Sequence, residues 1–198
     1  MPKNLTGWER EKRTHFDEIV LDYDKVRPGY PDKLFADVIA YVGRGQGKKA
    51  LEIGAGTGKA TAPVLAAGFD VTAVEPGANM TAFLLEKFHG KPFRVITSIF
   101  EDAPLQDDSY DLIYAASAFH WVDASIGCPK AYRLLKSGGA IALLRYNFNV
   151  RPAPGEELHE EIQTLYERHY FNHYGPGGKT AKITKELCML PRKILAPV

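Results

Sequence analysis

The sequence predicts an α/β fold in which a parallel sheet is covered by helices, and three observations carry that expectation. Short β-like runs alternate with helix-like ones from about Pro31 to Arg151. One of the first runs, Lys49 to Ile53, opens directly into a glycine loop, Gly54-Ala-Gly56-Thr-Gly58. With 198 residues, 45% of them hydrophobic and 25% charged, the chain has the length and composition of one globular domain with a full core.

The elements follow in order. Leu34, Phe35, Val38, Ile39 and Val42 recur at helical spacing after Pro31, a residue suited to a first turn. Lys49 to Ile53 reads as a buried strand, and Thr61 to Ala67 as the helix after the glycine loop, with Pro63 near its start. Val71 to Val74 is the second strand, Ala78 to Phe88 the next helix, and Phe93 to Ile96 the third strand. A polar loop with Glu101, Asp102, Asp107 and Asp108 leads to a strand at Tyr110 to Ala115. A helix closing near Leu135 comes next, interrupted by Gly127 and Pro129, with Gly138 and Gly139 placed to stop it before the strand Ala140 to Tyr146. Beyond Arg151-Pro-Ala-Pro154, the residues Leu158, Ile162, Leu165, Tyr166 and His169 give an amphipathic helix from about Glu156 to Tyr170, with no β-like alternation after it. The expected divisions are an N-terminal arm over 1–30, a ligand-binding α/β domain over 31–146 and a helical segment of the same domain over 147–198.

Composition excludes several functions. With 25 Lys and Arg against 24 Asp and Glu, no basic excess exists to bind a nucleic-acid backbone. Neither Cys128 nor Cys188 has a second Cys or a close His at metal-ligand spacing, so no metal site is expected and a reducing cytoplasm fits. The first 25 residues are charged and nothing later approaches an apolar span of about 20 residues, so the expectation is a cytoplasmic protein without membrane contact.

The glycine loop carries the chemistry. Glycines after a strand let the backbone turn sharply and approach a ligand, and the following helix begins with unpaired N–H groups. A dinucleotide fingerprint would place its third glycine at position 59, which is Lys59. Glu75 closes the second strand, 21 residues after Gly54, where a carboxylate can accept hydrogen bonds from ribose hydroxyls.

Four segments extend the pattern: ALEIGAGTGKAT, VTAVEPGANM, SIFEDAPLQDDSYDLIYAASAFHWVD and AYRLLKSGGAIALL. In order and spacing they resemble the successive motifs of the class I S-adenosylmethionine-dependent methyltransferases over roughly residues 48 to 146, in the small-molecule, type 11-like branch. The resemblance implies a doubly wound, Rossmann-like sheet in the order 3-2-1-4-5. The usual strands six and seven have no counterpart in 147–198, so the sheet is expected to stop at strand five, and its open edge to be covered by the C-terminal segment or by a second subunit of a homodimer.

The same resemblance implies S-adenosylmethionine as cofactor, S-adenosylhomocysteine as product and a small-molecule acceptor as partner. Glu52 would face the methionyl ammonium or order water beside it. Gly54, Ala55, Gly56, Thr57 and Gly58 would pack against the cofactor, Glu75 and Pro76 would lie at its ribose, and Met80 would cover the adenine. Tyr23 and Arg27, in a segment similar to the family's cofactor-covering arm, would sit near the methionine end, and that arm would order on binding. Relatives carry an acidic or small polar residue where this chain has Ile99, so adenine recognition falls to backbone near Phe100 and Glu101. Ser117 and His120 would line the transfer centre, His120 as general base or as lining, and no catalytic residue is assigned. Two alternatives stay open: a non-catalytic S-adenosylmethionine-binding or interaction protein, and a nicotinamide-dependent oxidoreductase.

Overall fold

The expected alternation is what the chain forms. The computed structural model describes residues 17–145 and Thr164. In chain order these build a 3-10 turn at Asp17–Ile19, α1 (Val20–Val26), α2 (Asp32–Val42), β1 (Lys49–Ile53), α3 (Thr61–Ala66), β2 (Asp70–Glu75), α4 (Ala78–Lys87), β3 (Phe93–Thr97), β4 (Tyr110–Ala116), a second 3-10 turn at Phe119–Trp121, α5 (Ala124–Leu134) and β5 (Leu135–Leu144). The strands are parallel and lie in the order β3-β2-β1-β4-β5, with five strands among the described residues. Because the order reverses at β1, the connections leaving β1 and β4 run to opposite faces of the sheet and open a crevice at the strands' C-terminal ends.

Both faces of the central strands are covered, so β1, β2 and β4 are buried almost throughout, with Glu52, Thr72 and Glu75 the buried polar residues of β1 and β2. Successive side chains point to opposite faces. Leu51, Ile53 and Ile113 therefore join Val74, Ala131 and Leu134 in one core layer, while Ala50, Val71, Leu112 and Tyr114 meet Phe35, Val64 and Phe69 in the other. Pro31 stands at the N-cap position of α2 without a side-chain cap, and the helix ends at Gly43, whose φ is +84°. Gly127 persists inside α5 because a Cβ there would run into Val122, and Asp123 opens the helix by accepting the Ser125 N–H at 2.9 Å.

The largest departure from the sequence reading is at Gly138 and Gly139. They do not stop a helix: α5 ends at Leu134, and Leu135 already pairs with Tyr110 as the first residue of β5. The next pair is Leu112 with Ala140, so Lys136 to Gly139 bulge out of the ladder opposite Asp111. Gly138 takes a φ of +76° in that bulge, and Lys136 Nζ anchors it on Asp111 Oδ2 at 2.9 Å. No described helix is long and apolar enough to cross a membrane. The helix expected from Glu156 to Tyr170, apart from Thr164, and the cover expected for the β5 edge lie outside the described residues, as do the first 16 residues of the arm.

Candidate active site

Gly54, Gly56 and Gly58 all have positive φ, at +69°, +55° and +78°. Their neighbours differ. A Cβ at Gly54 would lie 2.6 Å from the Ala118 Cβ, and one at Gly58 would collide with the Phe88 ring and with Leu84. These outer glycines let the loop pack on the β4 connection and on α4. A Cβ at Gly56 would meet nothing within 4 Å, so the middle of the loop faces open room where a ligand can reach the backbone.

Glu75 reaches the Gly56 backbone directly, and Glu52 lies near enough to Glu75 for their charges to interact. Glu75 is buried; its Oε2 accepts the Gly56 N–H at 2.8 Å and its Oε1 the Gly77 N–H at 3.1 Å. A carboxylate has about four acceptor positions, so two remain for ligand hydroxyls. Burial raises its pKa, the two N–H groups oppose that rise, and the Asp17 charge adds to it. Removing this side chain, in Glu75→Ala, is expected to weaken cofactor binding by about 1–3 kcal/mol, read by titration calorimetry. An unchanged affinity would remove Glu75 from the ligand's contacts.

Glu52 is only 1% exposed. Its Oε2 accepts both the Thr61 hydroxyl at 2.5 Å and the Tyr114 hydroxyl at 2.8 Å. Burial pushes its pKa up to about 7 against the pull of those two donors, and the nearby Glu75 charge adds to the rise. Tyr114 is in turn pushed well above its usual range, first by burial and then by Glu52.

The remaining expected residues cluster in three places. Pro76, half-buried, and Met80, buried, follow Glu75 around the start of α4, where the Met80 N–H donates to Asp17 Oδ1 at 2.8 Å. Phe100 is buried, with the Lys130 ammonium 5.4 Å from its ring centre. Lys130 also donates to the carbonyls of Glu101 at 3.0 Å and Ala103 at 2.6 Å, and Glu101 Oε1 accepts the Asp123 N–H at 2.9 Å. The Glu101 side chain thus ties its loop to the start of α5.

At the end of β4, Ser117 has a φ of +55°, unusual for a residue with a Cβ; its N–H bonds the Leu144 carbonyl at 2.7 Å and its Oγ accepts from Tyr30 at 3.3 Å. His120 sits on the exposed turn that follows, beside Trp121. Partial burial, and then the guanidinium groups of Arg145 and Arg27, hold its imidazole below the usual range. The Arg27 guanidinium stacks 5.8 Å from the Tyr23 ring centre.

Several members of this arrangement were not read from the sequence. Thr61 and Tyr114, the partners of Glu52, are an ordinary helix-start Thr and strand Tyr by pattern. Asp17, Asp24, Lys59 and Lys87, which join the arm to the start of α4 and to the loop, belong by pattern to solvated charges. Of the four, only Lys59 carried a signal, as the residue where a dinucleotide motif wants glycine.

Residues 51–143 match the model of a methyltransferase domain family. An uncharacterized methyltransferase of Mycobacterium bovis is 32% identical over 140 residues, covering 71% of this chain and 55% of that protein. A similar relation holds for an uncharacterized methyltransferase of Schizosaccharomyces pombe, 31% identical over 137 residues, with 69% of this chain and 53% of that protein covered. The chain thus spans about half the length of the curated relatives it matches. Among solved structures, a SAM-dependent methyltransferase from Aquifex aeolicus superposes with a TM-score of 0.54 at 21% identity, covering 75% of this chain and 86% of that one. With its central β1, its glycine loop after that strand and its sheet order β3-β2-β1-β4-β5, the chain has the fold of the class I S-adenosylmethionine-dependent methyltransferases, and its residues 51–143 are similar to a methyltransferase domain family.

Proposed function

We propose that this chain is a cytoplasmic enzyme that transfers the methyl group of S-adenosylmethionine to a small-molecule acceptor. The observation that carries the proposal is the open room at Gly56, with Glu75 and Glu52 at the C-terminal ends of β2 and β1. That set of groups fits the cofactor: a carboxylate with free acceptor positions for ribose hydroxyls, backbone without side chains at the point of approach, and a second acid beside it for a cationic amine. The bound sulfonium would supply the reactive carbon, so the chain's task is to hold donor and acceptor in line and exclude water. Ser117 and His120 border the transfer side, and an imidazole kept neutral can accept a proton from a hydroxyl or amine acceptor. Lys59 bonds the backbone of Asp24 instead of leaving room for the third glycine of a dinucleotide loop, which counts against nicotinamide as the cofactor.

Calorimetric titration with S-adenosylhomocysteine and with NAD, followed by assay of S-adenosylhomocysteine formation over a panel of acceptors, tests the proposal. Binding of the first ligand alone, with turnover of at least one acceptor, is expected. Tighter binding of NAD would overturn the reading, and S-adenosylhomocysteine binding without turnover of any acceptor would leave a cofactor-binding protein.

A further inference from the structure

The described part of the N-terminal arm lies along α4, held at two points. At the first, Asp17 takes the start of α4: its Oδ1 accepts the Met80 N–H at 2.8 Å and its Oδ2 the Asn79 N–H at 3.2 Å, while the Asn79 side chain donates to the Asp17 carbonyl at 3.1 Å. The N-cap residue of α4, Gly77, has no side chain to serve its free N–H groups, so Asp17 caps the helix from a distant segment. A Cβ at Gly77 would strike the Asp17 carboxylate.

At the second point, Asp24 meets the glycine loop. Lys87 Nζ lies 3.3 Å and Lys59 Nζ 3.5 Å from Asp24 Oδ1. The same Lys59 donates to the Asp24 carbonyl at 2.7 Å, and the same Lys87 to the Thr57 carbonyl at 2.8 Å. Burial opposes the charge of Asp24, but the Thr57 hydroxyl, Lys87 and Lys59 together outweigh it and hold the carboxyl below its usual range. Asp17 to Asp24 and Met80 to Lys87 are both seven residues, two helical turns or roughly 10 Å, so the two points match only if arm and α4 run in the same direction. Two parallel helices align their dipoles unfavourably, and the Asp17 cap at one end and the Asp24 ion pairs at the other offset that.

We propose that Asp24 is a positioning residue: it latches the arm to the glycine loop through Lys59 and Lys87, so that Tyr23 and Arg27 stand beside the cofactor site before ligand arrives, and it sets how long the bound cofactor stays. The proposal rests on the methyltransferase reading for its second half. Two consequences follow. The latch depends on charge and weakens as salt rises. Its loss frees both the arm and the carbonyl side of Thr57, which loosens the loop where the ligand is held.

The test uses the full chain. In hydrogen exchange without cofactor, amides of residues 17–27 are expected to exchange about tenfold faster in Asp24→Asn than in the unaltered protein, and faster in the unaltered protein at 1 M salt than at low salt. With S-adenosylhomocysteine bound, its dissociation rate is expected to rise about tenfold in Asp24→Asn. Asp37→Asn removes the same charge from the exposed Lys33–Asp37 pair and is expected to change neither reading. If Asp24→Asn does not fold, Lys87→Met removes the same bridge from the other side. Equal exchange in variant and unaltered protein would overturn the latch. Faster exchange with an unchanged dissociation rate would overturn the positioning role. Failure of the unaltered protein to bind S-adenosylhomocysteine would overturn the methyltransferase reading, and is told apart because exchange is measured without ligand.

Discussion

Gly56→Val is expected to abolish cofactor binding while leaving the protein folded. At a φ of +55° a side chain with a Cβ is strained, by about 1–2 kcal/mol and more for a β-branched one, so the melting temperature should fall. The fold should survive, because a Cβ at this position meets no atom within 4 Å. The added isopropyl group then occupies the room beside Glu75, and the strained backbone turns the Gly56 N–H away from the Glu75 carboxylate that it now bonds at 2.8 Å. Both effects act against the ligand, and a loss of at least about a hundredfold in affinity is expected. Gly58→Val provides the contrast: its Cβ runs into Phe88 and Leu84, so it should cost stability first. Titration calorimetry and thermal melts on both variants separate the two cases. A folded Gly56→Val protein with ordinary affinity would show that the ligand site is elsewhere.

The second large effect concerns pH. The carboxyl of Glu52 titrates near 4.5 in an open chain and at about 7 in the fold. Between those values the folded protein holds a proton that the unfolded chain has released, so stability falls as pH rises through this window, and the loss is complete above the folded pKa. The total is on the order of 3 kcal/mol. Glu52→Gln should remove this slope and be more stable than the unaltered protein at pH 8, measured by urea unfolding at several pH values. Ligand binding should run the other way. A cationic amine beside Glu52 favours the ionised form, so affinity is expected to tighten as pH rises toward the folded pKa, and Glu52→Gln should flatten that dependence. An equal pH profile of affinity in variant and unaltered protein would place the amine away from Glu52.

The residues that revealed the fold in the sequence act locally. Apolar runs such as Ala50 to Ile53 and Val71 to Val74 are strands because both sheet faces cover them, and that requirement is written into each run by itself. Positive φ at Gly54, Gly56 and Gly58 is likewise a demand on single positions, and the Gly54-to-Glu75 spacing follows from one strand-loop-helix-strand unit. Element order, the glycine loop and the place of Glu75 at the end of its strand were therefore legible from residues alone, while Glu52 was singled out by the resemblance.

Tertiary structure decided what depends on partners distant in sequence. Gly138 and Gly139 look like a helix stop, yet pairing with Tyr110 draws Leu135 into β5 and turns the glycines into a bulge, because ladder bonds to β4 outweigh a local turn preference. Glu52 acquires its raised pKa from burial in the assembled core, against the pull of Thr61 and of Tyr114, 62 residues on, which the register of β1 with β4 sets directly opposite. Asp17 meets Met80 across 63 residues, and Asp24 meets Lys87 across the same separation, only once α1 lies along α4. What the sequence determined is the set of elements and which residues stand at the end of each strand. Which charges are buried, which are paired and which hold the arm in place was decided by the packing of elements far apart in the chain, since burial and pairing are properties of the assembled core and not of any one segment.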